Sequence, residues 1–130
     1  MIVVDTSAWI ELYRGTQSPT HLTLRDLIEA GADLAVTEVV VMELLGGAQQ
    51  RRAALRKRLL SFPLLPLKGL HDFEEAASIF RRCRSGGETL RRGFSDCLIA
   101  VPALRAKAAV LHNDQDFEVI ARHTGLQIAS

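Results

Sequence analysis

The sequence has 130 residues and a formal net charge of +1, with 48% hydrophobic and 24% charged residues, as in ordinary soluble globular proteins. This length favours one domain over residues 1–130 with a single buried core. No apolar run approaches the roughly 18 residues that a membrane span needs. The four apolar residues at the start lack the basic flank of a signal peptide. We therefore expect a cytoplasmic protein that does not engage a membrane.

The first residues predict a buried strand that ends at a carboxylate. Residues 1–4 form a short, β-branched apolar run, which is typical of a strand buried on both faces. Asp5 follows, and Thr6 or Ser7 is an N-cap candidate for a helix that continues through Tyr13. Asp5 is therefore predicted at the carboxyl end of a strand and beside a helix N-terminus, where open α/β sheets place their ligands.

The rest of the chain alternates short apolar runs with amphipathic stretches. Further strands are predicted at 34–36, 64–65 and 109–111, with an edge strand at 126–128. Helices are predicted at 21–30, 39–45, 49–62, 73–84, 95–107 and 116–123, and Thr37 and Asp72 are N-cap candidates. Strands that alternate with helices predict an α/β fold with a small, mostly parallel sheet and helices on both faces.

Two predicted helices carry residues whose role the sequence leaves open. Pro102 lies inside the apolar helix 95–107, where it deletes one hydrogen bond and crowds the carbonyl of Leu98. It either kinks or breaks that helix, at a cost of up to about 3 kcal/mol if the helix continues. Cys83 and Cys97 lie in predicted helices and lack CxxC spacing, so we expect two buried free thiols.

Several acidic residues stand where a carboxylate is unexpected. Asp96 begins the apolar helix, while Asp114 and Asp116 follow the last well-marked strand. Glu43 lies in a helix otherwise made of Val, Met and Leu. The structural alternatives are an N-cap or helix-dipole partner for Asp96, a turn residue that caps the last helix for Asp114 or Asp116, and a plain surface residue for Glu43. Isolated carboxylates are costly to bury unless they are paired or bound to a cation, so the combination with Asp5 predicts one acidic cluster.

Carboxylates that lack a nearby His or Cys ligand favour a hard cation, Mg²⁺ first and Mn²⁺ as its substitute. Outside the predicted cluster the surface is basic. The chain has 15 acidic residues, and 10 remain when the five of the cluster are subtracted, against 16 Lys and Arg. The five are Asp5, Glu43, Asp96, Asp114 and Asp116. An acidic pocket in a basic exterior suits a polyanionic substrate and phosphodiester chemistry, in which the ion activates water and neutralises growing charge. Thr6 or Ser7 can orient the water or the phosphate.

Four stretches occur in the order and at the spacing of a known family. They are IVVDTSAWI at 2–10, VVVMELLG at 39–46, GETLR at 87–91 with SDCLIA at 95–100, and LHNDQDF at 111–117. In these stretches the chain resembles the PIN-domain ribonucleases, specifically the VapC toxins of bacterial and archaeal toxin–antitoxin pairs. The resemblance implies a PIN-like three-layer α/β sandwich, and it covers nearly the whole chain.

The resemblance also implies a set of site residues and partners. It assigns the catalytic acids to Asp5, Glu43, Asp96 and Asp114, and the metal ligands to Asp5, Asp96, Asp114 and Asp116. It implies Mg²⁺-dependent endonucleolytic cleavage of RNA, a cognate antitoxin that wraps the toxin, and a homodimer or a toxin–antitoxin hetero-oligomer. Arg91 lies in the family's arginine-bearing segment, where it is expected to contact a substrate phosphate or the antitoxin. Pro102 departs from the family pattern.

Two other classes of protein remain as alternatives. A phosphatase of the haloacid dehalogenase type also has an aspartate at the end of its first strand, but it needs a second acid where this chain has Ser7. A non-catalytic RNA-binding module would use the acids for a structural ion or for helix caps. Its binding surface would then be the basic helix at 51–58.

Overall fold

The computed structural model describes residues 1–129, and in this range the first strand lies at the centre of a five-stranded sheet. The strands are β1 (Ile2–Val4), β2 (Leu34–Thr37), β3 (Leu64–Leu65), β4 (Ala109–Leu111) and β5 (Gln127–Ile128). Their order is β3-β2-β1-β4-β5 and every neighbouring pair is parallel. The first strand therefore has a later strand on each side, which makes its carboxyl end a topological switch point.

Helices connect these strands and cover both faces of the sheet. Over residues 1–129 they are α1 (Thr6–Arg14), α2 (Pro19–Glu29), α3 (Glu38–Gly47), α4 (Arg52–Leu59), α5 (Gly69–Ser85), α6 (Phe94–Ala106) and α7 (Gln115–His123). Successive residues of one strand point to opposite faces, and Val3 and Val4 are both fully buried, as are Ala35 and Val36. The predicted α/β fold is confirmed. Among the described residues, no helix has the length and apolar character needed to span a membrane.

Two predicted N-caps are wrong, and both errors concern aspartates. Asp5 itself, not Thr6 or Ser7, caps α1, because its extended backbone lets its carboxylate accept the Ser7 N–H at 2.9 Å. Helix α5 begins at Gly69, so Asp72 lies in its first turn and accepts the Lys68 N–H instead of capping the helix. Thr37 caps α3 as predicted, through a hydrogen bond from the Val40 N–H.

Helix α6 continues through Pro102, so the proline does not break it. The helix spans Phe94–Ala106, and Val101, Pro102 and Ala103 are all buried. Packing of these side chains offsets the hydrogen bond that the proline deletes. Cys83 on α5 and Cys97 on α6 are buried and free, as predicted. Helix α4 is shorter than the predicted 49–62.

Candidate active site

The acidic cluster forms where the parallel strands end. Asp5 follows β1, Asp114 follows β4 as the N-cap of α7, and Asp96 lies in the first turn of α6. Asp96, Asp114 and Asp116 each offer a carboxylate oxygen within 4.8 Å of the others. Asp5 is outside this three-residue group, although its charge is close enough to raise the pKa of Asp96. Three of the four predicted ligands therefore converge directly.

Buried oxygen atoms in this cluster lack hydrogen-bond partners within residues 1–129. They are Oδ1 of Asp5 and both carboxylate oxygens of Asp96, whose residues are 1% and 0% exposed. A buried anion without a partner is costly, and native proteins keep few such groups. A divalent cation held by Asp96, Asp114 and Asp116 would give the buried Asp96 carboxylate a partner, so the residues present fit such an ion.

The electrostatics of the cluster agree with its geometry. Burial first, and then the charges of Asp5 and Asp114, raise the pKa of Asp96 to about 9. Burial also raises the pKa of Asp5, although hydrogen bonds from Ser7 act in the opposite direction. Without a cation, Asp96 therefore keeps its proton at neutral pH, and binding of a metal would release that proton.

Two hydroxyl groups hold the acids in place. The Ser7 hydroxyl donates to Oδ2 of Asp5 at 2.6 Å and accepts the Asn113 N–H at 2.8 Å. The Thr6 hydroxyl donates to Oε1 of Glu43 at 2.7 Å, and Thr6 is only 3% exposed. Ser7 thus orients the carboxylate that follows β1, and Thr6 orients one on α3. Their predicted contact with substrate stays a prediction.

Asp116 ties the segment before α6 to the cluster. Its two carboxylate oxygens accept the backbone N–H groups of Arg91 at 2.8 Å and Arg92 at 2.7 Å. We call residues 86–93 the site loop. At its other end Glu88 forms an ion pair with Arg122 and a hydrogen bond with His123, both on α7. Both ends of the site loop are therefore fastened to α7.

Arg92 is a site residue that the sequence interpretation missed. Its Nη1 lies 3.7 Å from Oε2 of Glu43, and its Nε lies 3.7 Å from Oδ2 of Asp114. The predicted residue, Arg91, contacts Asp116 through its backbone instead. The sequence signal was the adjacent pair of arginines, but the pattern alone could not show which of them faces the acids.

Two clefts adjoin the acidic cluster. The first has a volume of about 570 Å³ and is polar, with Asp114 on one side and Arg14, Arg91 and Arg92 around it. The second, also of about 570 Å³, lies between α1, α3 and α4 and is mainly apolar. Its lining includes Ile10, Tyr13, Leu44, Ala48, Leu55 and the acid Glu43. Ile10 and Arg14 belong to both linings, so the two clefts meet along α1.

The fold is that of a known family. Residues 2–123 match the family described as PIN domain. Ribonuclease VapC11 of Mycobacterium tuberculosis is 43% identical over 133 residues, which cover 100% of this chain and 98% of that protein. VapC ribonuclease Mb1587 of Mycobacterium bovis has the same identity and coverage.

Solved structures of low sequence identity share the fold. VapBC2 of Rickettsia felis, bound to a promoter DNA fragment, has a TM-score of 0.73 at 17% identity, over 99% of this chain and 98% of that chain. VapC20 of Mycobacterium tuberculosis, a toxin that cleaves the sarcin-ricin loop, has a TM-score of 0.72 at 18% identity, over 98% and 99%. This chain belongs to the PIN-domain family, and within it to the VapC ribonucleases.

Proposed function

We propose that this chain is a metal-dependent endoribonuclease and the toxin of a toxin–antitoxin pair. The observation that carries the proposal is the buried, unpartnered carboxylate of Asp96, with Asp5 and Asp114 beside it at the strand ends. Such a site suits a hard cation and phosphodiester hydrolysis. A haloacid dehalogenase mechanism is disfavoured, because Ser7 stands where it needs a second acid and donates its hydroxyl to Asp5.

The proposed roles follow the contacts of each side chain. Asp5, Asp96, Asp114 and Asp116 would hold Mg²⁺, with Mn²⁺ as its substitute, and Glu43 would complete the catalytic acids. When bound, the ion supplies charge that lowers the pKa of a water nucleophile and stabilises negative charge on the phosphate and the leaving oxygen. Asp96 would give up its proton if a cation bound, and hydrogen bonds from Ser7 and Thr6 keep Asp5 and Glu43 oriented.

The proposed substrate is RNA, held by its backbone in the polar cleft. Arg14, Arg91 and Arg92 line this cleft beside Asp114, so phosphates meet positive charge on the approach to the acids. The whole activity is assigned to a single PIN domain over residues 1–130 that acts in the cytoplasm. The phosphate contact of Arg91 remains part of the proposal.

The proposed partner is a cognate antitoxin, which joins the chain in a hetero-oligomer. The apolar cleft between α1, α3 and α4 suits the apolar face of a partner segment. Glu43 and Arg14 line this cleft, so a segment that occupies it ends next to the catalytic acids and obstructs them. VapBC complexes are among the structures with the same fold. A homodimer is the alternative assembly.

Cleavage of structured RNA by the purified chain, freed of antitoxin, tests this proposal. We expect cleavage in Mg²⁺ and none in EDTA, and we expect Asp5→Asn and Asp96→Asn to abolish it while the fold persists. Asp26→Asn is the matched control, since Asp26 is an exposed aspartate on α2 whose side chain is 66% accessible. Equal cleavage by the wild type and Asp96→Asn would contradict the proposal. Binding of RNA that never leads to cleavage would instead favour the RNA-binding module.

A further inference from the structure

The side chain of Arg92 lies across the mouth of the acidic cluster. It reaches two acids that come from different elements, Glu43 on α3 and Asp114 at the start of α7. Both nitrogen–oxygen distances are 3.7 Å, which is longer than a hydrogen bond. The attraction is therefore mainly electrostatic, and the guanidinium can leave the acids at little cost in directed bonds.

The backbone of Arg92 is anchored, whereas its side chain is partly exposed. Asp116 holds the Arg92 N–H at 2.7 Å. Gly93 follows with φ +63° and ψ −121°, a conformation that residues with a Cβ rarely adopt, and this turn leads directly into α6. The side chain of Arg92 is 45% exposed. A change in the contacts of this residue thus requires rotation of the side chain alone.

Arg91 provides an internal comparison. Its N–H is held by the same carboxylate at 2.8 Å, and its side chain also lines the polar cleft. Within residues 1–129, however, the salt bridges to Glu43 and Asp114 come from Arg92. Arg91 and Arg92 therefore share the same backbone anchor, and they differ in that the side chain of Arg92 is directed at the acids.

We propose that Arg92 is a positioning residue that acts as a built-in counter-ion of the acidic site. Before a divalent cation binds, its guanidinium holds Glu43 and Asp114 and opposes entry of the cation. A phosphate group that takes up the guanidinium frees both acids, so phosphate and cation bind cooperatively. Linkage then requires each ligand to strengthen the other by the same factor. This inference rests on the proposed function for the identity of the two ligands.

Calorimetric titration with Mg²⁺, without RNA, measures the first half of the proposal. We expect Arg92→Gln to bind Mg²⁺ about fivefold more tightly than the wild type. Partly exposed ion pairs contribute about 1 kcal/mol, and this free energy corresponds to about a fivefold change in affinity. Arg92→Lys retains the charge and is expected to stay near the wild type. Arg91→Gln removes a charge from the same loop and is expected to change the affinity less than Arg92→Gln.

Titration in the presence of adenosine 5′-monophosphate measures the second half. This probe presents a phosphate but no internucleotide bond to cleave. We expect it to tighten Mg²⁺ binding in the wild type and to have a smaller effect in Arg92→Gln. If adenosine 5′-monophosphate tightened Mg²⁺ binding equally in the wild type and in Arg92→Gln, the idea that phosphate releases the acids from Arg92 would be overturned.

The outcomes separate this inference from the proposed function. Equal Mg²⁺ affinity in the wild type and Arg92→Gln would overturn the counter-ion role alone, because the metal site would still exist. Failure of both proteins to bind Mg²⁺ would overturn the metal site and the counter-ion together. Thermal unfolding of each variant verifies that it is folded before the titration.

Discussion

Asp72 and Asp96 are both fully buried aspartates in the first turns of neighbouring helices, yet their surroundings are opposite. Asp72 accepts hydrogen bonds from the Arg105 guanidinium and from the Lys68 N–H. Burial alone would raise its pKa, but these hydrogen bonds lower it to about 2. Asp96 has no hydrogen-bond partner within residues 1–129, and its pKa is raised to about 9. A buried carboxylate that accepts hydrogen bonds stabilises the fold, whereas a buried carboxylate without hydrogen-bond donors is available to bind a ligand.

Removal of the partner of Asp72 should destabilise the protein. Arg105→Met leaves the buried Asp72 carboxylate without its partly exposed cation, and we expect a loss of about 1–3 kcal/mol in the free energy of unfolding, as for a buried acceptor that loses its donor. Urea unfolding measures this loss. The double variant Asp72→Leu/Arg105→Met should recover much of it, because an apolar pair leaves no buried charge unpaired. A loss below about 1 kcal/mol would show that Asp72 is not dependent on Arg105.

At Asp96 we expect a substitution to raise the free energy of unfolding, whereas at Arg105 it lowers it. Without metal at pH 7.5, Asp96→Asn removes a carboxyl group that the fold holds against ionisation, so we expect it to stabilise the protein by on the order of 2–4 kcal/mol. Saturating Mg²⁺ should stabilise the wild type and leave Asp96→Asn nearly unchanged. Urea unfolding in EDTA and in Mg²⁺ measures both effects. Destabilisation by Asp96→Asn in EDTA would show that the carboxylate has a structural partner after all.

The two aspartates should also give pH dependences of opposite direction. The pKa of Asp96 is raised from 3.8 to about 9, so in EDTA its contribution to stability is complete below pH 4 and is lost as the pH rises towards 9. The pKa of Asp72 is lowered to about 2, so its contribution is present above pH 4 and is lost as the pH falls towards 2. The advantage of Asp96→Asn over the wild type should therefore shrink between pH 8 and pH 5. A constant advantage would contradict the raised pKa.

The smallest expected effect is on RNA cleavage, and it concerns Thr6, which orients the carboxylate of Glu43. Thr6→Val removes the hydroxyl that donates to Glu43 while it preserves the shape of the side chain. We expect about a tenfold loss of RNA cleavage, at the lower end for partners that orient site carboxylates. Single-turnover cleavage measures it, and Thr23→Val, at a partly exposed threonine on α2, is the control. Unchanged cleavage would show that Glu43 does not depend on this hydrogen bond.

The sequence predicted the fold and most of the cluster because both follow from local pattern. A buried apolar run that ends at Asp5, and another that ends just before Asp114, define two adjacent strand ends without knowledge of distant contacts. The roles of Asp72 and Arg92 could not be obtained in this way. Asp72 depends on Arg105, 33 residues later, and the backbone of Arg92 is held by Asp116, 24 residues later. Such pairings are set by the packing of α5, α6 and α7, which no local pattern specifies.

The position of the first strand at the centre of the sheet has a consequence for the time at which activity can arise. Its neighbours β2 and β4 are separated from it by very different lengths of chain, and Asp114 and Asp116 lie beyond β4. A growing polypeptide carries Asp5 from the outset but lacks a complete set of acids until β4 and α7 have been synthesised and docked. Enzymatic competence is thus among the last properties that the folding chain acquires.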